Sequence, residues 1–415
     1  MLKKLSLTVL RIRDFRLLMF TRAFVMMALQ SQAVIVGWQV YSLTKDPFML
    51  GLTGLTEACP AIICAFFAGH IVDSAQPRKV YTRCIGVMAL NTLSLFIVAG
   101  LMTSLPRHFV LVFIFAGVFI SGLARSFLMP SVFSLLSRIV SRTEIAAATA
   151  WNSSLAQTAA VCGPAIAGLL YGGYGARGAW MLPASLMTAA FLIIGTMRVT
   201  HVRNPEKREP VLQSIRAGWN FILRTPVLLS VMALDMFAVL FGGAVAMLPA
   251  YADQVLHVGS EGLGALRAAP AFGAVVMGLT LALYPMKKIT AVRLLWAVTG
   301  FGLCMIGFGA STSFGLSMLF LVASGLFDSM SMLIRSTLVQ LLTPDSMRGR
   351  ISAINSMFII SSNEIGSFES GTAARLLGLV PSVIFGGLCT LGVVAVTAIV
   401  SPLRKTVVSA GEIEN

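Results

Sequence analysis

Charge is what this 415-residue chain has least of: only 11% of its residues are Asp, Glu, Lys or Arg, and just 16 of them are acidic. Water-soluble domains carry about a quarter charged residues. With 57% hydrophobic residues and a mean hydropathy of +0.87, the chain reads as a polytopic helical membrane protein, not a soluble one. Its six cysteines (Cys59, Cys64, Cys84, Cys162, Cys304 and Cys389) are scattered through apolar runs without paired spacing. That excludes a disulfide framework and a thiolate metal centre, and leaves them as small buried hydrophobes. The four histidines are dispersed as well, so no metal set is expected. No G-x-x-x-x-G-K-[ST] loop is present to cradle nucleotide phosphates. No cofactor and no enzymatic activity are implied. The first apolar run is full length and lacks a small-residue cleavage site, so it does not resemble a cleavable signal.

Long apolar runs are abundant. Spans are expected near 17–43, 48–72, 79–103, 108–137, 143–172 and 177–198, then 226–256, 260–284, 290–310, 314–342, 347–375 and 380–402. This divides the chain into a six-helix bundle over 1–198, a linker over 199–225 and a second bundle over 226–415. The net charge of +15 does not indicate nucleic acid, because the basic residues sit in short clusters between spans and form no aromatic-interleaved groove. With the N-terminus in the cytoplasm, inner segments hold Arg78, Lys79, Arg83, Arg138, Arg142, Lys287, Lys288, Arg293, Arg348 and Arg350, besides the linker's basic residues. Outer segments keep only Lys45, Arg107, Arg177 and Arg375. The bias places both termini inside. Within the linker, Leu212, Ile215, Trp219 and Ile222 recur at helical spacing among Arg208, Arg216 and Arg224. This predicts an amphipathic helix on the inner membrane surface, a tether without chemistry of its own.

The run from Phe314 to Leu342 is apolar enough to cross a bilayer, yet it carries Ser324, Asp328, Ser331 and Arg335 on one helical face. A charged residue at the centre of a membrane helix costs about 2.5–3.5 kcal/mol on insertion scales. Such a stripe must face protein or water, either as an internal ion pair or as the lining of a solute pathway. Sliding the second half over the first by 203 residues brings Ser121-Gly122-Leu123 onto Ser324-Gly325-Leu326, Asn152-Ser153 onto Asn355-Ser356, Gly163 onto Gly366 and Gly168 onto Gly371. A separate offset of 210 brings Gly54, Pro60 and Ala61 onto Gly264, Pro270 and Ala271. The chain is a parallel repeat of two six-helix halves. Equivalent positions carry opposite charge: Glu57 maps onto Arg267, and Arg125 onto Asp328. Arg22, Asp235, Glu364 and Glu369 are further charges inside spans.

Short motifs point the same way. Gly69-His70-Ile71-Val72-Asp73-Ser74-Ala75-Gln76-Pro77-Arg78-Lys79 resembles the G-x-x-x-D-R-x-G-R-[RK] loop of the major facilitator superfamily, differing at Ser74, Gln76 and Pro77. Gly163-Pro164-Ala165-Ile166-Ala167-Gly168 is similar to the Gly-Pro core of the superfamily's antiporter motif. Thr343-Pro344-Asp345 with Arg348-Gly349-Arg350, and Thr21-Arg22-Ala23-Phe24, resemble the branch holding the enterobactin exporter and macrolide efflux proteins. The resemblance covers the whole chain. It implies an all-α fold of twelve transmembrane helices in two pseudo-symmetric bundles, in a bacterial inner membrane, with cavity-lining charges on the second, fourth, eighth and tenth helices.

On this resemblance the chain is expected to be a secondary active transporter working by alternating access. Carboxylates in a cavity of low dielectric hold protons nearer neutral pH, so Asp235 and Asp328, followed by Glu57 and Glu364, are the expected proton carriers. Arg22, Arg125, Arg267 and Arg335, with Glu57, Asp235, Asp328 and Glu369, are the expected solute contacts. Gating is expected at Pro60 and Pro270, which each free a carbonyl four residues back, and at Gly163 and Pro164. A cytoplasmic latch is expected from Gly69, Asp73 and Arg78 toward Arg348 and Arg350 at a helix N-terminus. The 22 methionines suit export of a bulky siderophore-like or drug-like solute, because methionine repacks around varied shapes. Its partners would be the bilayer, the solute and protons, and one chain suffices. Import of a metal–siderophore complex or other nutrient, lipid flipping, and a non-transporting sensor or scaffold are the other readings.

Overall fold

The structure, a computed structural model, describes residues 9–74, 76–102, 104–141, 144–198, 211–284, 286, 288–344, 347–401 and 407–409, a few of them by backbone only. Helices α1 (Arg13–Thr44), α2 (Pro47–Ser74), α3 (Pro77–Gly100), α4 (Arg107–Ile139) and α5 (Ile145–Gly195) make up the first half of the chain. After α6 (Val211–Arg224) come α7 (Pro226–Gly242), a 3₁₀ turn at Ala244–Met247, α8 (Leu248–Gln254), α9 (Gly259–Leu283), α10 (Ala291–Ala310), α11 (Phe314–Leu342), α12 (Arg348–Leu377) and α13 (Leu379–Val400). At 32 residues, α1 is about 48 Å long and exceeds the ~30 Å hydrocarbon core.

Ten helical stretches among the described residues are long and apolar enough to cross a membrane, α7 and α8 forming one of them. One is α5, which breaks at Gly175, where φ is 66° and ψ −167°. L-residues with a side chain rarely adopt that conformation, so one uninterrupted sequence makes two traverses without a loop. The last traverse is α12, 30 residues long, whose Asn355, Ser362, Asn363, Glu364 and Glu369 leave it less apolar than the other ten. Twelve transmembrane helices result, as the periodicity predicts.

Contacts group the chain into two units: residues 1–45, 55–206 and 258–268 form unit 1, and residues 46–54, 207–257 and 269–415 form unit 2. Two short segments thus cross the boundary drawn from sequence, and glycines explain why. In unit 1, Gly168 of α5 lies against Gly264 of α9, and a Cβ at Gly168 would come within 2.7 Å of the Gly264 Cα. In unit 2, Gly371 of α12 meets Gly51 of α2 in the same way, at 2.8 Å. Gly168 and Gly371 are repeat equivalents.

Unit 1 is built on Phe15, Leu18, Tyr81, Ile85, Leu135 and Met187, and unit 2 on Leu228, Leu234, Leu294, Ile334, Leu338 and Ile351. Large apolar side chains such as Ile63, Leu90, Leu192, Leu279, Trp296 and Ile399 are exposed, as lipid-facing residues are. The cysteines follow this division: all six are free, only Cys304 is buried, four are half-buried and Cys59 is exposed. The expectation of six buried cysteines is therefore corrected. An apolar run in a membrane protein has a lipid side as well as a core side, and composition does not separate them.

The repeat recurs in packing. A Cβ at Gly163 of α5 would sit 2.9 Å from the Met27 carbonyl oxygen of α1, and one at Gly366 of α12 would sit 2.7 Å from the Leu240 carbonyl oxygen of α7. Both glycines seat a neighbouring helix backbone at equivalent places. Gly366→Leu is expected to force α7 away from α12 and cost about 1–3 kcal/mol, the range for overpacked interiors. Detergent-solubilised thermal unfolding reads this directly, and an unchanged midpoint would contradict the seating.

Two features modify the sequence reading. Helix α6, expected on the inner membrane surface, docks on unit 2: Ile222 is fully buried in its core, and Trp219 stacks on Phe358 of α12 with ring centroids 5.8 Å apart. Its apolar stripe is a docking face, so the linker helix belongs to unit 2. The strands β1 (Lys288–Thr290) and β2 (Val407–Ser409) pair antiparallel, Ile289 opposite Val408, tying the C-terminal segment to the α9–α10 connection. Three-residue strands are too short to show a period of two.

Candidate functional site: charged groups within the membrane-spanning helices

Five charges expected to face a cavity resolve into two ion pairs and one lone carboxylate. In unit 1, Arg125 Nη1 of α4 donates to Glu57 Oε1 of α2 at 2.6 Å, with the two side chains 52% and 26% exposed. The pair lies on an open surface of the unit, where screening leaves such a contact weak. Gly122 of α4 is packed against the Glu57 carbonyl, which brings the two helices close enough for the pair to form. Sequence repetition had placed Glu57 and Arg125 on the repeat, without making them partners.

In unit 2, Arg335 Nη1 of α11 pairs with Asp235 Oδ1 of α7, and both side chains are nearly sequestered. Burial removes two ions from water, which only close mutual contact offsets. The stripe on α11 is otherwise as expected: Ser324, Ser331 and Arg335 are buried. Asp328 lies on the same face but is exposed. It makes no ion pair among the described residues.

The other expected contacts are less concentrated. Arg267 of α9 and Glu364 of α12 are half-buried and engaged in polar interactions, and Glu369 is half-buried. Arg22 is only 4% exposed in the core of unit 1, where Nη2 donates to Met129 Sδ at 3.1 Å. The gating set divides as well. Helices α2, α5 and α9 run on through Pro60, Pro164 and Pro270. Arg78 Nη2 donates to the Gly195 carbonyl at 2.8 Å, which satisfies a free acceptor at the negative end of α5. Arg350 is half-buried, donates to Met347 Sδ at 3.4 Å and packs against Gly218 of α6. The side chains of Gly69, Asp73 and Arg348 lie outside the described residues, and with them the expected latch.

A polar network in unit 1 was not expected. Gln32 Nε2 of α1 and Asn91 Nδ2 of α3 both donate to Ser121 Oγ of α4, at 2.9 and 3.0 Å, and Asn91 also reaches the Gly117 carbonyl at 2.9 Å. Trp180 Nε1 donates to Gln39 Oε1 at 2.9 Å. Gln32 and Gln39, two turns apart in an otherwise apolar span, were the available signal for such interhelical bonding. Among the described residues, no three His, Cys, Asp or Glu side chains come together as a metal site requires.

Comparison with known proteins agrees with this architecture. A family model described as Major Facilitator Superfamily matches residues 18–368. The enterobactin exporters EntS of Shigella boydii serotype 4 (strain Sb227) and Escherichia coli O1:K1 / APEC are each 23% identical over 394 residues, covering 94% of this chain and 92% of theirs. Among solved structures, a POT family transporter in complex with 5-aminolevulinic acid superposes with a TM-score of 0.72 at 13% identity, over 95% of this chain and 97% of that one. A bacterial homologue of the iron transporter ferroportin in an inward-facing state gives 0.71 at 12% identity, over 93% and 97%.

Proposed function

The chain belongs to the Major Facilitator Superfamily, and from that premise we propose that it is a proton-coupled exporter of a small amphipathic organic solute. The observation that carries this reading is the set of ionisable groups kept inside lipid-spanning helices: one open pair, one buried pair and one exposed aspartate with no ion pair among the described residues. A membrane protein without a charge-dependent task has little reason to retain them. Asp328 is proposed as the group that loads and releases a proton, with Asp235 coupled to it through the state of its bond to Arg335. Glu57 and Glu364 are secondary carriers. Arg125 and Arg267 meet acidic groups of the solute or hold counter-charges, and Glu369 contributes polarity to α12.

Similarity over nearly full length to enterobactin exporters supports export and a siderophore-like solute. The many methionines suit a drug-like one equally. The protein is proposed to act as a monomer in a bacterial inner membrane with both termini cytoplasmic. A contact of Asp73 with the start of α12 is proposed to close the cytoplasmic side.

The discriminating experiment is a metabolite comparison of wild-type and deletion cells grown under iron limitation. The expected result is a catecholate or similar amphipathic compound retained in deletion cells and depleted from their medium. Matching intracellular and extracellular pools in the two strains would overturn the export reading, and a compound depleted inside deletion cells but left in their medium would replace it with import.

A further inference from the structure

We infer that Arg22 and the Tyr81 hydroxyl form an anion-binding site inside unit 1, separate from the charged pairs assigned above and independent of the transport reading. The two units supply the comparison. In unit 2, α7 seats on Gly366 through Leu240, and in unit 1, α1 seats on the equivalent Gly163 through Met27. Counting back five residues from each seat reaches Asp235 in α7 and Arg22 in α1. The repeat therefore puts a buried carboxylate in one unit where the other has a buried guanidinium.

Asp235 has its counter-ion, Arg335 of α11. In α4 the residue equivalent to Arg335 by the 203 offset is Val132, which carries no charge. Arg22 accordingly makes no ion pair among the described residues. Its one named polar contact is to a thioether, and its Nε is buried without a partner.

The surroundings are short of acceptors as well. Tyr81 of α3 is fully buried, within electrostatic reach of Arg22, and its hydroxyl has no hydrogen-bond partner. Among the described residues, this cation and this hydroxyl, both able to donate, have no anion between them. A buried charge is stable only when paired, and each buried donor left unmet has its own cost.

The ligand these donors would hold is a small monoanion, either a free halide or the carboxylate of an organic acid. Chloride and acetate serve as probes of these two sources. Thermal unfolding of the purified full-length protein in detergent is followed as each replaces gluconate at constant ionic strength. The site predicts a saturable rise in the midpoint with at least one of them, since a ligand that binds only the folded state stabilises it by mass action. A larger effect of chloride assigns a halide, and a larger effect of acetate assigns a carboxylate. Arg22→Met should abolish the rise. Tyr81→Phe, which keeps the charge, should raise the half-saturating concentration several-fold and covers the case in which Arg22→Met does not fold. The site is overturned if neither anion exceeds gluconate in the wild-type protein, or if the rise persists undiminished in the variants.

Discussion

D328N is expected to bring proton-driven uptake of the solute that the metabolite comparison identifies, by everted membrane vesicles, down to the level of vesicles lacking the protein. Solute exchange with equal pH on both sides should continue. The reasoning is comparative. Glu57 is held by Arg125 at 2.6 Å, and Asp235 is held by Arg335 in a nearly sequestered pair. Protonating Asp235 means giving up a buried charge–charge contact. Asp328 is exposed and makes no ion pair among the described residues, so it can take and give up a proton without breaking one. Amide replacement keeps the shape of the side chain and removes the titration. D328E should therefore retain coupled uptake, at a different rate. If D328N vesicles still accumulated solute in response to a pH gradient, Asp328 would be excluded as the carrier.

The second large effect concerns the buried pair. R335M should destabilise the protein by about 3–5 kcal/mol, because it leaves the Asp235 carboxylate sequestered without a counter-charge. In units of this size each kcal/mol shifts the unfolding midpoint by roughly 2–4 °C. D235N should be damaging for the converse reason, leaving the guanidinium alone. The combination D235L/R335M is expected to recover most of the loss, since an apolar pair of suitable volume often replaces a buried ion pair at little cost or with a gain. A double-mutant cycle in detergent measures this. Losses that simply add would mean that the two side chains do not depend on one another. A double variant that is stable yet inactive in vesicles would separate the pair's part in coupling from its part in folding.

How far the sequence led depended on what kind of information each feature needs. Helix α11 was legible to its ends, because its polar stripe has a helical period and its flanks are apolar. Helix α12 was legible by the same period, although it is too polar to be recognised by hydropathy alone. The repeat was legible because glycines at helix crossings cannot be exchanged for larger residues, and Gly163 and Gly366 prove to seat equivalent backbones. Which charge meets which was not legible. Asp235 and Arg335 are a hundred residues apart, and only the packing of α7 on α11 makes them partners. Arg22 read like the other intramembrane arginines, yet it lies in the core of unit 1. The exposed Cys59 read like Cys304. Lipid face, core face and open face share one composition in a membrane helix, so burial is decided by tertiary packing.

The most direct test of the central claim, that this is a gradient-driven carrier, is uptake of the solute that accumulates in deletion cells, by respiring everted vesicles with and without a protonophore. Accumulation that requires the protein and collapses when the protonophore is added is the predicted result. Vesicles that take up no more solute with the protein than without it, or uptake that survives the protonophore, would contradict the account.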